Sequence, residues 1–170
     1  VGKFKAPVGL ERLQQIAATP FVEFGLPIDL VPNRDLGAEL YGSINKGVLE
    51  YALGVFNGVV DGGSGDGDTF DGKDIAARVF AKPFQGTQIK PLQKLGFGIA
   101  GTYGKQEGTS ATSATVVTPV TNLPSYKTGG QQTFFKYITD TTSPGNTVIA
   151  KGVVTRLVPQ LRYDFGPLGI

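Results

Sequence analysis

The sequence predicts an all-β fold, and more narrowly an antiparallel transmembrane β-barrel. Three observations lead there. Glycine supplies 25 and proline 11 of the 170 residues, so turns are frequent. Aromatics reach 10% while charged residues stay at 18%, below the roughly 25% of ordinary soluble domains. Runs of apolar–polar alternation recur, and the connections between them are alternately short and long. Disorder is excluded, because 40% of residues are hydrophobic and the net charge is only +2.

The first strand spans residues 1–8, with Lys3 and Lys5 on one face and Phe4, Ala6 and Val8 on the other. A connection, Gly9–Asn33, follows. It exceeds the ~12–15 residues beyond which loops in compact domains tend to be functional or disordered. It is too apolar for disorder. Leu10, Leu13 and Ala17 have helical spacing, and Thr19-Pro20 stops the helix. Phe21, Phe24, Leu26, Ile28 and Leu30 are expected to anchor the rest. This segment, 9–33, is read as a loop folded back into the barrel mouth.

The second strand, 36–44, sets Leu36, Ala38, Leu40, Gly42 and Ile44 against Gly37, Glu39, Tyr41 and Ser43. Asn45-Lys46-Gly47 is a tight turn that admits positive φ. The third strand, 48–59, opposes Leu49, Tyr51, Leu53 and Val55 to Glu50, Ala52, Gly54, Phe56 and Gly58. Residues 61–74 are a glycine- and aspartate-rich loop. The fourth strand, 75–84, carries Arg78, Phe80 and Lys82 on one face. The fifth, 95–105, alternates Leu95, Phe97, Ile99 and Tyr103 with glycine, alanine and threonine. Beyond it, Thr133–Ile138 and Val148–Val153 are expected to pair as a hairpin across a turn at 141–146. The last strand sets Leu157, Pro159, Leu161, Tyr163 and Phe165 against Arg156, Gln160, Arg162 and Asp164, and a turn at 166–169 ends it. Pro159 inside this strand requires a bulge or an unpaired position. Short turns at one rim and long loops at the other describe an outer-membrane barrel.

Composition closes off much chemistry. Cysteine is absent, so disulfides and thiolate metal sites are excluded. Histidine is absent too, which removes imidazole acid–base work and His-ligated zinc. No enzyme activity, cofactor or metal is expected. Glu39 or Glu50 could serve a carboxylate hydrolase, but nothing marks a cleft around them. Asp66, Asp68, Asp71 and Asp74 fail the calcium-loop pattern, because Phe70 and Asp71 fall where a ligand and a glycine are needed. They read as a solvated acidic loop. Basic residues are dispersed, which argues against nucleic acid. No run approaches the ~18 apolar residues of a membrane helix. The chain starts at Val1 and contains no Met, and is expected to be a processed product or part of a longer chain.

The segment Gly2-Lys3-Phe4-Lys5-Ala6-Pro7-Val8-Gly9-Leu10-Glu11-Arg12-Leu13 resembles the approach to the constriction region of phosphate-selective porins O and P. So do Phe24-Gly25-Leu26-Pro27, Arg34, Gly54-Val55-Phe56-Asn57-Gly58, Arg78-Val79-Phe80-Ala81-Lys82-Pro83-Phe84 and Gln131-Gln132-Thr133-Phe134-Phe135. Arg156-Leu157-Val158-Pro159-Gln160-Leu161-Arg162-Tyr163 completes the likeness, which runs across nearly the whole chain. It implies trimeric barrels of roughly sixteen strands that pass phosphate or other anions across Gram-negative outer membranes. Membrane lipid, lipopolysaccharide, small anions and a homotrimer are then the expected partners. The chain would be less than half of such a barrel, with flanking strands outside it. The Asp-rich loop has no counterpart in the likeness.

If the apolar faces meet lipid, the polar faces line water. The candidate pore-lining, anion-binding residues are Lys3, Lys5, Arg12, Arg34, Arg78, Lys82, Arg156 and Arg162, opposed by Glu39, Glu50 and Asp164. Rings of Arg and Lys are the device of anion pores. Arg adds paired planar donors suited to phosphate oxygens, and Lys acts as a movable point charge. Arg12 and Glu11 are expected to reach solvent in the constriction, as a local ion pair. The competing reading of the same alternation is a soluble β-sandwich that binds partners through its loops. That reading requires the apolar faces to bury against a second sheet.

Overall fold

Alternation along the chain becomes one antiparallel sheet. The computed structural model describes residues 1–15, 17, 19, 22–67, 71–110, 119–140, 146–165, 168 and 169. Seven strands pair in the order β1 (Gly2–Phe4), β2 (Asp35–Ile44), β3 (Leu49–Phe56), β4 (Asp74–Ala81), β5 (Leu95–Glu107), β8 (Lys151–Phe165) and β9 (Leu168–Gly169). A separate hairpin joins β6 (Ser125–Lys127) to β7 (Thr133–Lys136). Among the described residues the named helical elements are α1 (Leu10–Leu13) and the 3-10 turns Leu26–Leu30 and Lys90–Lys94. Among the described residues no helix is long and apolar enough to cross a membrane. The sheet is open: β1 and β9 are its edges, and it does not close into a barrel.

The register fixes two faces. Leu40, Leu53, Ala77, Gly101 and Leu157 stand in one row across β2, β3, β4, β5 and β8. Leu40, Leu53 and Leu157 are 68%, 55% and 73% exposed, so this face has no cover among the described residues. Ile44, Val55, Ile75, Ile99 and Leu161 continue the same uncovered surface. The other face carries Glu39, Ala52, Arg78, Ala100, Val158 and Gln160, and the chain itself covers part of it. Ala6, Val8 and Val31 pack there against Phe56, Ala76 and Ala100, with Phe4 and Val158 at the margin. Part of the connection after β1 is therefore folded onto the polar face. Gly9 makes its sharp bend, at φ +77°, where an added Cβ would lie 2.9 Å from Val31.

The first strand is shorter than expected and its facing is reversed. β1 stops at Phe4, and Phe4 turns inward onto Phe56 at 5.4 Å. Lys3, paired with Leu36, has the opposite parity and reaches Asp66 across the rim. Burying a phenyl ring while a lysine keeps a carboxylate partner is the more favourable of the two facings. The helix is shorter too. Gln14 is already extended, and the Lys5 amine caps the carbonyls of Arg12 and Gln14 at 2.5 and 3.5 Å. Of the expected anchors, Ile28 is buried, whereas Phe24, Leu26 and Leu30 are exposed. Phe21 and Pro20 lie outside the described residues.

The short turn is as read: Asn45, Lys46 and Gly47 take φ of 52°, 54° and 88°. β3 ends at Phe56 because Asp35, itself buried, accepts the N–H groups of Gly58 and Val59 at 2.7 and 3.0 Å. β8 starts at Lys151, before Arg156, since Lys151–Thr155 pair with Tyr103–Glu107. Pro159 keeps register opposite Ile99 with no bulge. It is tolerated because β9 pairs only with Asp164 and Phe165, leaving that stretch of β8 with one neighbour. The expected hairpin of Thr133–Ile138 with Val148–Val153 does not form. Thr133–Lys136 pairs with Ser125–Lys127 instead, while Val148 donates only one backbone bond, to Ile138. Residues 141–145 of the predicted turn, and 166 and 167 of the last, lie outside the described residues.

Candidate functional site

Phe80 organises the polar face. Its ring lies against Gly96 and Gly98, where an added Cβ would come within 2.7 and 2.8 Å of it. Only glycine leaves that space, so the ring is 2% exposed and held flat to the wall. The Arg78 guanidinium sits 4.9 Å and the Lys82 ammonium 5.8 Å from its centroid, within the reach of cation–π attraction. Glu50, one strand away, accepts from Arg78 at 3.4 Å and Lys82 at 3.0 Å. Arg78 Nε also donates to Gln160 Oε1 at 3.0 Å. An arginine nitrogen can only donate, so the Gln160 oxygen must face it, and the amide Nε2 remains buried without a partner.

Arg162, next but one along β8, meets Asp164 at 3.1 Å in a pair about 40% exposed on each side. Such a pair contributes only ~0–1 kcal/mol, so an incoming anion can displace it. Arg78, Lys82 and Arg162 line one cleft of about 610 Å³, whose opposite wall is Pro7, Leu10 and Leu13 of the folded-in connection. Tyr41, of inward parity and 76% exposed, stands in the same cleft. A neighbouring recess of about 420 Å³ shares Lys82 and Arg162 and adds Lys94.

The remaining basic candidates lie elsewhere. Arg156 is committed within the protein: Nε to Asp61 at 2.6 Å, and a terminal nitrogen to Thr102 at 2.9 Å and Asp74 at 3.4 Å. Its side chain is 9% exposed. It joins the loop after β3 to the wall and is a structural ion pair. Arg12 is buried rather than solvent-facing, and its guanidinium donates to Ile28 O at 2.7 Å. Glu11 does not pair with it but accepts the Gly25 N–H at 2.9 Å. Burial pulls the Arg12 pKa down from its ordinary value, with Asp29 opposing. The Lys5 pKa is lowered as well, by burial first and then by the Arg34 and Arg12 charges. Arg34 is exposed at the long-loop rim, bridged through its backbone to Ser64.

The acidic loop is not simply solvated. Asp61 accepts from Arg156 and, at 2.9 Å, from the Tyr126 hydroxyl of β6. Asp74 is the buried first residue of β4. Asp71 is exposed, and Asp68 lies outside the described residues. Among the described residues no cluster of carboxylates could hold a metal ion. No protein-family model, curated protein or solved structure significantly matches this chain.

Sequence reasoning placed Gln160 on the polar face without a role, and missed Tyr126 and the buried role of Asp61. Each acts through a partner on a distant element, and only the even spacing of Gln160 with Arg156 and Arg162 marks its face. Burial, and then the charge and hydrogen bond of Asp61, push the Tyr126 pKa from 10.0 up to about 12. The folded state therefore holds the phenol proton more tightly than the unfolded chain does. The associated stabilisation is intact below pH 10 and is lost as pH climbs to about 12. A tyrosinate absorbance titration is expected to resolve one late phenol, and Asp61→Asn should bring it earlier. An unchanged curve in that variant removes the contact.

Proposed function

We propose that this chain forms part of the wall of a Gram-negative outer-membrane channel, through which small anions, phosphate among them, diffuse passively. One observation carries the reading. A sheet with an uncovered apolar face across five strands has, on its reverse, a polar cleft holding Arg78, Lys82 and Arg162. Contiguous exposed apolar surface of that breadth marks a membrane or a large partner. Segregated connections agree with it: residues 45–48 and 82–94 at one rim, and 5–34, 57–73 and 108–150 at the other.

In this reading the folded-in connection narrows the bore, and the cleft offers anions a site they can leave again. Opposite unit charges ~4 Å apart attract by about 1 kcal/mol in bulk water and ~4 at an effective dielectric of 20. Edge strands cannot remain open in hydrocarbon, because each unpaired backbone group costs several kcal/mol there. Further strands, from more chain or from other copies, close the barrel. Lipid and lipopolysaccharide surround it, and three such barrels associate. The protein is not an enzyme.

Planar-bilayer recordings across a salt gradient provide the check. The reversal potential should show anion preference, and both Arg78→Glu and Arg162→Glu should lower it. Cation preference in the unmodified protein, or unchanged selectivity in both variants, refutes the anion assignment.

A further inference from the structure

We propose that the cleft between α1 and β2–β4 selects amphiphilic organic anions, a carboxylate head carrying an aromatic or short aliphatic body, over inorganic phosphate. This rests on the reading that the polar face meets water. The head has a built site. Arg162 is held only by an exposed ion pair, and Lys82 and Arg78 share the single carboxylate of Glu50.

The body has a site too. Leu10 and Leu13, both half-buried, form an apolar wall, and Tyr41 holds a ring 76% exposed on the water side of the sheet. A fully hydrated inorganic ion gains nothing from such walls. A ring or short chain on the same molecule removes apolar area from water on both sides. The cleft, about 610 Å³, falls within the ~300–1,000 Å³ common for small-molecule sites. Glu50 and Glu39 line it as well. They oppose a second negative charge, and so favour a monoanion with an apolar body over a multiply charged ion.

Calorimetric titration of the full chain in detergent, with benzoate, acetate and inorganic phosphate as probes, tests this. Benzoate is expected to bind about tenfold or more tighter than acetate, a difference of about 1.4 kcal/mol. Tyr41→Ser should reduce that ratio by weakening benzoate more than acetate; the exposed ring can be removed without loss of fold. Arg162→Gln should weaken both carboxylates, and Glu50→Gln should strengthen both. Equal binding of benzoate and acetate, no binding of either, or tighter binding of phosphate overturns the proposal. Conductance is read separately. A chain that binds benzoate but carries no chloride current keeps the site and loses the channel; the reverse keeps the channel and loses the site.

Discussion

Arg156→Met is expected to cost about 3–5 kcal/mol of folding stability, the range for removing one partner of a buried ion pair. The side chains involved are 9% exposed for Arg156, 12% for Asp61 and 5% for Asp74. Taking away the guanidinium leaves both carboxylates without their counter-charge. Asp74 Oδ1 already lacks a partner, so the loss falls on a site with no slack. The loop after β3 and the β6–β7 hairpin both hang on Asp61, through Arg156 and Tyr126. The same variant should therefore expose residues 119–140 to proteolysis before the sheet unfolds. Urea unfolding in detergent gives the free energy. Arg156→Met/Asp61→Asn/Asp74→Asn should recover most of it, because a neutral set of similar volume no longer strands a charge. A single variant within ~1 kcal/mol of the unmodified protein places Arg156 with surface pairs and ends its structural role.

That contact also marks the boundary of what the chain reveals before folding. Period-two alternation was enough to locate β2 to β5 and the last strand, because a two-residue repeat assigns every side chain to a face at once. Asn45-Lys46-Gly47 was legible for a local reason, the tolerance of positive φ. Length and apolarity marked residues 9–33 as more than a surface loop, yet of the expected anchors Ile28 is buried whereas Phe24, Leu26 and Leu30 are exposed. Arg156 and Asp61 stand 95 residues apart in sequence, and no local pattern distinguishes an arginine bound for a buried carboxylate from one bound for water. For that reason the basic residues looked like a single lining, whereas the structure gathers Arg78, Lys82 and Arg162 and sends Arg156 into an ion pair. At Phe4 a three-residue edge strand offered both facings, and packing on Phe56 chose one. The β6–β7 pairing lies in a Ser/Thr-rich stretch where alternation is weak.

The uncovered apolar face admits a direct measurement. Leu53 stands mid-row between Leu40 and Ala77, and its side chain is 55% exposed. If hydrocarbon borders it, Leu53→Arg should cost about 2–4 kcal/mol when the protein folds from urea into phospholipid vesicles, the value for a cation near the bilayer midplane of a barrel. Ser43→Arg is the matched control. Ser43 pairs with Glu50 on the opposite face, at an exposed position, and a cation there gains a carboxylate neighbour and stays in water. The two variants add the same charge to the same strand pair, so net charge cancels in their difference. What remains is the medium each face meets. A Leu53→Arg protein that inserts with the unmodified free energy means that water, not lipid, lies against the leucines, and the channel reading falls with it.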